Sequence, residues 1–600
     1  MAIIRKTLKQ RPENPGAFRA AKKYGFTDLQ CRVIAGRTNR DEDELENILF
    51  PALKNLHHPD KLKDGKIAAE KIVAAICGKK RIGILTDYDV DGICSHVVVY
   101  ESLKLWGVDP GLISSFIGHR MNDGYGISEN LVDRILDMAE KPHLIITADC
   151  GSSDEKQISR LKNSETEVIV TDHHAIPVEG VPQSAAATVN PNRIDCRYPD
   201  KYISGCMVSW LLMCYVRNIL INNEHVIENT NKLGHLLDFV ALSTIADAVS
   251  FFSATNRAVV GSGLDIINKL DKPSWCALAS FLNKKNSVPF TAEDLAFQVA
   301  PRINARSRMA DPYAALNFFL AESKEKADDQ LQRLEKNNEE RKTTEKNMVK
   351  KAKKEAQKLI NGKRRTIVVW DREFHPGVQG IVASRLVDTY GRPAVVLSPI
   401  NGGDVLSGSA RSIPEIHIRD VLQKINVKYP DIFISFGGHS GAAGLRIKEE
   451  DFEIFSNAFE EEVKKEINNR HLDPVILTDG KLDESLMNTK TITELQSLGP
   501  YGREFDEPVF EGMFKVKKHR LVGDEPVHLS LTLEAENQKK LHGIWFRALE
   551  NPGEEIQIKD NNTIKCAYKL KLNNFRGHKN IQLMIEYAEV VENSPIAVEC

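Results

Sequence analysis

The rhythm of hydrophobic and polar positions changes several times along the chain. From about residue 80 to 250, short β-branched runs alternate with longer helical stretches, and Ile82–Leu85, Leu144–Thr147 and Val168–Val170 read as strands. That alternation predicts a parallel sheet wrapped by helices, because each parallel crossover needs a helix to bring the chain back across the sheet. Residues 322–361 are rich in Glu, Lys, Arg and Ala, lack Pro and Gly, and carry few apolar positions. They predict one long exposed helix of about 40 residues, roughly 60 Å in length, that bridges two domains. A second α/β pattern follows, with Thr366–Trp370 and Ala394–Leu397 as strands, a helix beginning in Gly380–Asp388 and a Gly-rich turn at Phe436–Leu445. From about residue 466 the pattern shifts to short strands, His528–Leu533, Ile564–Leu572 and Ile581–Glu586, which predict a small β-barrel. Residues 1 to about 45 read as a helical leader. No internal repeat or low-complexity tract interrupts the pattern.

Composition sharpens this only a little. A chain of 600 residues exceeds what one core can bury, so three or more domains are expected. With 42% hydrophobic and 27% charged residues the chain is of ordinary globular type. The net charge of −2, from 81 basic and 83 acidic side chains, gives no global support for a nucleic-acid partner, so any such surface must be local. The ten cysteines are scattered without C-x-x-C spacing, as expected of reduced thiols. No run of about 18 uninterrupted apolar residues occurs and the N-terminus has no long apolar segment, so a cytoplasmic protein without membrane association is expected.

The candidate chemistry lies just after the early strands. Ile82–Leu85 runs into Thr86-Asp87-Tyr88-Asp89-Val90-Asp91-Gly92, Leu144–Thr147 into Ala148-Asp149-Cys150-Gly151, and Val168–Val170 into Thr171-Asp172-His173-His174. Ligands of open parallel sheets bind at the carboxyl ends of the strands, and here three such ends would deliver Asp or His into one crevice. A fourth contributor is Asp247, at the end of the apolar run Ala241–Ala246. Clustered carboxylates repel unless cations neutralise them, and Asp with His suits Mn²⁺, Mg²⁺ or Zn²⁺. Taken alone, Asp87, Asp89 and Asp91 also fit acids at a helix N-terminus, and Asp172-His173-His174 also fits a surface loop.

These residues resemble the motifs of the DHH phosphoesterase superfamily. The resemblance to its RecJ family continues through His119-Arg120-Met-Asn-Asp-Gly124-Tyr125-Gly126, Asn190-Pro191-Asn192, Ser204-Gly205, Ala300-Pro301-Arg302-Ile-Asn304-Ala305 and His375 to Arg385. It extends further through Gly408-Ser409-Ala410-Arg411-Ser412, Phe436-Gly437-Gly438-His439 to Gly444, and Leu498–Gly502 with Tyr568–Asn573. It covers about residues 45 to 600 in order. What it implies is an α/β architecture: a DHH domain over 46–275, a helical region with a long connecting helix over 276–365, a DHHA1 domain over 366–465 and an OB-fold barrel over 466–600. The active site would lie in the cleft between the first two lobes.

The resemblance further implies a single-strand-specific 5′-to-3′ DNA exonuclease of repair and recombination that uses two divalent cations, Mn²⁺ or Mg²⁺. Residue by residue, it makes Asp87, Asp89, Asp149, His173 and Asp247 the metal ligands. His174 would contact the metal site or scissile phosphate and, with Asp149, serve catalysis; Asp91 would support them by orienting the loop. Arg302, Asn304 and Arg308 would contact the substrate backbone, as would Ser384, Arg385, Arg411 and His439 in the DHHA1 domain. Gly437 and Gly438 would offer backbone N–H groups to a phosphate, or else simply make a tight turn. Tyr568, Phe575, Arg576 and Lys579 would track single strands from the barrel by stacking and charge, unless the aromatics are core. Single-stranded DNA is the implied partner, with a helicase and a single-strand-binding protein as further candidates, for a monomeric enzyme. The run Ala305-Arg306-Ser307-Arg308 lacks the Gly usual in the family, and Gly151-Ser152-Ser153 has Ser where a larger apolar residue is common. A DHH enzyme for short oligonucleotides, cyclic dinucleotides or pyrophosphate, or a non-catalytic replication scaffold, are the competing expectations; the barrel and the intact ligands respectively oppose them.

Overall fold

The computed structural model describes all residues except 1–5, 39–41, 121–122, 223–231, 285–287, 401, 469–473, 550, 576–577 and 592–600. The chain divides into two compact units, one of Glu46–Lys346 with Gly502–Phe505, the other of Met1–Leu45, Asn347–Tyr501 and Asp506–Cys600.

The first unit is built on a five-stranded parallel sheet in the order Ile113–Ile117, Ile82–Thr86, Leu144–Ala148, Glu167–Thr171, Ala187–Val189. Its three strands expected from sequence lie side by side in the middle, flanked by two that the hydrophobic pattern did not single out. Every residue of Ile82–Thr86 and Leu144–Ala148 is buried, as a parallel sheet covered on both faces requires. Helices Val90–Leu105, Gly205–Asn222 and Leu237–Ala246 contribute to the same core. Gly205–Asn222 is the one helix among the described residues long and apolar enough to cross a membrane, and it is largely buried in this core. Asp247 follows a helix, not a strand.

In the second unit, the strands Ser435–Gly438, Ala442–Lys448, Val405–Arg411, Ala394–Pro399 and Ile367–Trp370 form a sheet in that order, parallel only between the last two. A closed five-stranded barrel follows, formed by Phe510–Val522, His528–Glu534, Lys540–Trp545, Thr563–Phe575 and His578–Val590. The leader is not purely helical. Thr7–Gln10 is a strand, paired in parallel with Val475–Thr478, ahead of helices Pro15–Lys23 and Asp28–Ala35. A four-residue strand is too short for periodicity to separate it from a helix, and its partner lies more than 460 residues away. A buried ion pair, Arg37 to Asp479 at 2.5 Å, ties the leader to the segment entering the barrel; Asp479 also accepts the Val509 N–H.

The long helix runs Lys324–Asn361. Its early apolar residues Ala327, Leu331 and Leu334 join the core of the first unit, and Met348, Ala352 and Ala356 pack beneath the mixed sheet of the second.

Candidate active site

The first strand end places Asp87 and Asp89 at the start of helix Val90–Leu105. Asp89 is the N-cap: its Oδ1 accepts the N–H groups of Asp91 at 2.9 Å and Gly92 at 3.2 Å. The helix can begin so close to Asp87 because residue 92 is glycine; a Cβ there would lie 2.2 Å from the Asp87 carbonyl oxygen. The helix-terminus reading of these acids therefore holds for Asp89, alongside its place beside Asp87 and Asp149. Asp149 adopts a left-handed backbone with φ of 63°, which costs a non-glycine residue conformational energy and recurs where side-chain direction is under functional constraint.

His173 is aimed by its own ring. Nδ1 donates to the Ile203 carbonyl at 2.9 Å, which leaves Nε2 unprotonated in the neutral ring. That Nε2 lies 3.2 Å from Asp149 Oδ1, 3.5 Å from Asp91 Oδ2 and 3.7 Å from Asp247 Oδ2. Asp87 Oδ1, Asp149 Oδ1 and His173 Nε2 are all buried without a hydrogen-bond partner. Two like charges about 4 Å apart repel by about 4 kcal/mol even at an effective dielectric of 20. Burial, then the neighbouring carboxylates, push the Asp87 and Asp149 carboxyls well above the usual range. Burial pushes Asp247 up to about 7, with Asp91 and Asp89 adding to it against the pull of the histidines. Asp247 also stands at the C-cap of its helix, the negative end of the helix dipole. Lone pairs with no donor, inside a ring of acids, fit divalent cations: Asp87, Asp89 and Asp149 converge as one ligand group, and Asp91, His173 and Asp247 as another.

Asp91 is more constrained than an acid lining an open cleft. It accepts from the N–H groups of Gly205 at 2.7 Å and Cys206 at 2.8 Å and from Ser243 Oγ at 2.6 Å, at the N-terminus of helix Gly205–Asn222. It thereby links the first metal loop to that helix while keeping Oδ2 near His173.

His174 belongs to a separate network. Its Nδ1 lies 2.8 Å from Asp172 Oδ1 and 2.8 Å from the Tyr125 hydroxyl. Burial alone would lower its pKa, but the hydrogen bond and charge of Asp172 outweigh that and raise it to about 9. Asp172 also accepts the N–H groups of His173, His174 and Ser152, so this acid shapes the turn. Asn190 and Asn192 donate to the His174 and His173 carbonyls. The organising roles of Tyr125 and Ser243 are not visible in the sequence, because each depends on a partner brought in by another segment.

The expected substrate contacts on helix Ala300–Met309 separate. Arg302 is buried and paired with Glu335 at 2.6 Å. Asn304 Oδ1 accepts the Val90 N–H at 3.2 Å, which turns it onto the metal loop. Burial, then nearby Arg120 and Arg341, lower Arg308 to about 9, and Arg120 lies over the Tyr88 ring at 4.2 Å.

In the second unit the DHHA1 candidates gather around the mixed sheet. Arg411 Nη1 donates to Ser409 Oγ at 2.9 Å and the Ala410 carbonyl at 2.8 Å, and its strand pairs with Ala442–Lys448. A Cβ at Gly380 would meet the Arg411 guanidinium at 2.7 Å, so the start of helix Gln379–Tyr390, which also carries Ser384 and Arg385, lies against it. Ser384 Oγ donates to the Gly380 carbonyl. Gly438, with φ of 147°, has no room for a Cβ, so the tight turn requires it; Gly437 borders open space and His439 is exposed. In the barrel, Tyr568 is fully buried against Phe514 and Phe510, which corrects its assignment as a DNA-stacking residue. An inward position on a closed barrel places an aromatic in the core. Arg576 and the side chains of Phe575 and Lys579 lie outside the described residues.

Three family models match along the chain: the DHH family N-terminal domain over residues 81–244, the DHHA1 domain over 363–465 and the RecJ OB domain over 478–587. The single-stranded-DNA-specific exonuclease RecJ of Haemophilus influenzae is 34% identical over 570 residues, which span 94% of this chain and 96% of that protein. The chain belongs to the RecJ family. The Escherichia coli member is 32% identical over 93% of this chain and 95% of its own length. Among solved structures, RecJ of Thermus thermophilus in complex with Mn²⁺ superposes with a TM-score of 0.77 at 25% identity, covering 98% of this chain and 80% of that one. A manganese-bound exonuclease RecJ matches with a TM-score of 0.56 at 29% identity, over 68% of this chain and 98% of that one. RecJ membership accounts for the DHH, DHHA1 and barrel order; Asp247 lies just beyond the span of the DHH model.

Proposed function

We propose that this chain is a divalent-metal-dependent exonuclease that hydrolyses single-stranded DNA from the 5′ end. The observation that carries the reading is the cluster of buried, unpartnered Asp87 Oδ1, Asp149 Oδ1 and His173 Nε2 atoms in a RecJ-family chain. Asp87, Asp89, Asp149, His173 and Asp247 hold the cations, Mn²⁺ or Mg²⁺, with Asp91 in reach of the second group. When bound, such ions supply Lewis-acid stabilisation of the phosphoryl oxygens and activation of water. The chain's own residues do the rest. His174, whose Nδ1 is held by Asp172 and lies 3.8 Å from Asp149 Oδ1, stands beside the metal ligands and leaves its other ring nitrogen to serve the phosphate. Asn304 and Asp91 keep the metal loop in register. Arg411, Arg385, Ser384, His439 and the backbone at Gly437 receive the sugar-phosphate chain, and the barrel follows the single strand.

The enzyme acts as a monomer in the cytoplasm, in repair and recombination, with a helicase and a single-strand-binding protein supplying and presenting the strand. The test is digestion of 5′- and 3′-labelled single- and double-stranded DNA with Mn²⁺, Mg²⁺ or chelator. Release of 5′ label from single strands with metal alone is the expected result; chelator-resistant cleavage or preference for duplex overturns the reading.

A further inference from the structure

The long helix changes character half-way along. Over residues 324–345 it carries six basic and seven acidic side chains, and they pair: Lys324 with Asp328, Arg333 with Asp329, Lys342 with Glu339 and Arg341 with Glu345. Over residues 346–365, which run on past its end, there are nine basic side chains and one acid, Glu355. In this second half the apolar stripe Met348, Ala352 and Ala356 is buried beneath the mixed sheet. At 100° per residue, Asn347, Lys350, Lys354, Lys358 and Asn361 fall in one sector on the opposite side, and all five are exposed. The stripe extends about 21 Å at 1.5 Å per residue. Lys358 pairs with Glu355 at 2.8 Å, whereas among the described residues Lys350 and Lys354 make no ion pair.

Like charges four residues apart destabilise a helix. Three successive lysines at that spacing therefore oppose helix formation, in contrast to the interleaved pairs of the first half. We infer that Lys350, Lys354 and Lys358 form a phosphate track for single-stranded DNA, outside the metal centre and separate from the DHHA1 residues named above. The choice of occupant rests on charge complementarity and on the proposed exonuclease function. The stripe carries amide side chains at both ends, contains no acid, and has no exposed aromatic or aliphatic side chain to select a peptide. At about 3.4 Å per nucleotide of stacked strand, its length matches roughly six nucleotides.

The test is equilibrium binding of a single-stranded 60-mer to the full chain in chelator, across a salt series, for the parent and for Lys350→Gln/Lys354→Gln. A single strand loses about 0.7 in the slope of log affinity against log salt for each phosphate contact. The double variant is expected to flatten the slope by about 1.4 and weaken binding by about 20-fold at 0.1 M salt, with an unchanged or slightly raised melting temperature. An unchanged slope and affinity in a variant whose parent binds DNA overturns the track alone. A variant that keeps DNA affinity but loses binding to polyglutamate also overturns it, and makes the stripe a site for an acidic protein segment. A parent that neither binds nor digests single strands overturns the exonuclease reading and the track with it.

Discussion

At the carboxyl ends of the parallel sheet, the chain buries polar atoms that it leaves unsatisfied: Asp87 Oδ1, Asp149 Oδ1 and His173 Nε2. Around the mixed sheet of the second unit, the polar groups are met from within. Arg411 donates to Ser409 and Ala410, Gln379 to the Ser407 carbonyl, and Glu460 accepts from Arg365, Thr366 N–H and Thr366 Oγ1. The two regions have comparable α/β construction and opposite electrostatic states. A buried carboxylate without a donor is costly to the isolated protein and becomes favourable only when a cation arrives. A guanidinium already held by its own strand is ready to receive a phosphate without rearrangement. The first region thus fits cations, and we propose that the second receives an anionic chain.

That contrast can be tested from its strongest expected effect downward. Asp149→Ala removes an acid that converges both with Asp87 and Asp89 and with His173 and His174, and should lower nuclease activity by about 10³-fold or more while single-stranded DNA binding persists, read by cleavage and by binding in chelator. Comparable activity in that variant would break the assignment of the parallel-sheet region. Adding Mn²⁺ to metal-free protein should raise the unfolding transition of the first unit, by about 2.7 kcal/mol at a hundred times the dissociation constant or roughly 5–10 °C, and leave the second unit's transition in place. Equal shifts in both transitions would erase the difference between the regions. Arg411→Ala should raise KM for single strands about 10- to 100-fold with kcat nearly unchanged, the mark of lost ground-state binding; a fall in kcat with constant KM would move Arg411 into the chemistry.

The smallest effect concerns the loop behind the metal centre. Asp154 accepts the Ile127 N–H, and burial raises its carboxyl to about 6, against the effect of that hydrogen bond. A carboxyl with a raised folded-state pKa favours folding of the protonated form, so its contribution is fully present below about pH 4 and is lost as pH rises through about 6. Asp154→Asn should therefore stabilise the protein by about 1–2 kcal/mol above pH 7 and by nothing near pH 4, measured by denaturant unfolding. A gain that is independent of pH would place the effect in packing instead of charge.

Much of the molecule was legible in advance. Ile82–Leu85, Leu144–Thr147 and Val168–Val170 are β-branched runs buried on both faces, and their successors Asp87, Asp149 and His173 fall together because adjacent parallel strands in register end at one edge. The long helix announced itself through 40 residues without Pro or Gly. Other assignments failed for want of context. Nothing in the sequence pairs Arg302 with Glu335, 33 residues on. Tyr568 looked available until the barrel closed and turned it inward between Phe510 and Phe514. The leader's strand needed Val475–Thr478 as its partner.

The sequence by itself determined the periodicities, the order of the domains and the kinds of ligand atom at each strand end, because these depend on residue type and local spacing. Tertiary structure alone decided which atoms are left without partners. That Asp91 is bound by Gly205, Cys206 and Ser243, and that His173 Nε2 faces three carboxylates, follow from contacts between residues 24 to 152 positions apart. Hydrogen-bond satisfaction and electrostatic repulsion fall off over a few ångströms in space, and distance along the chain does not report them.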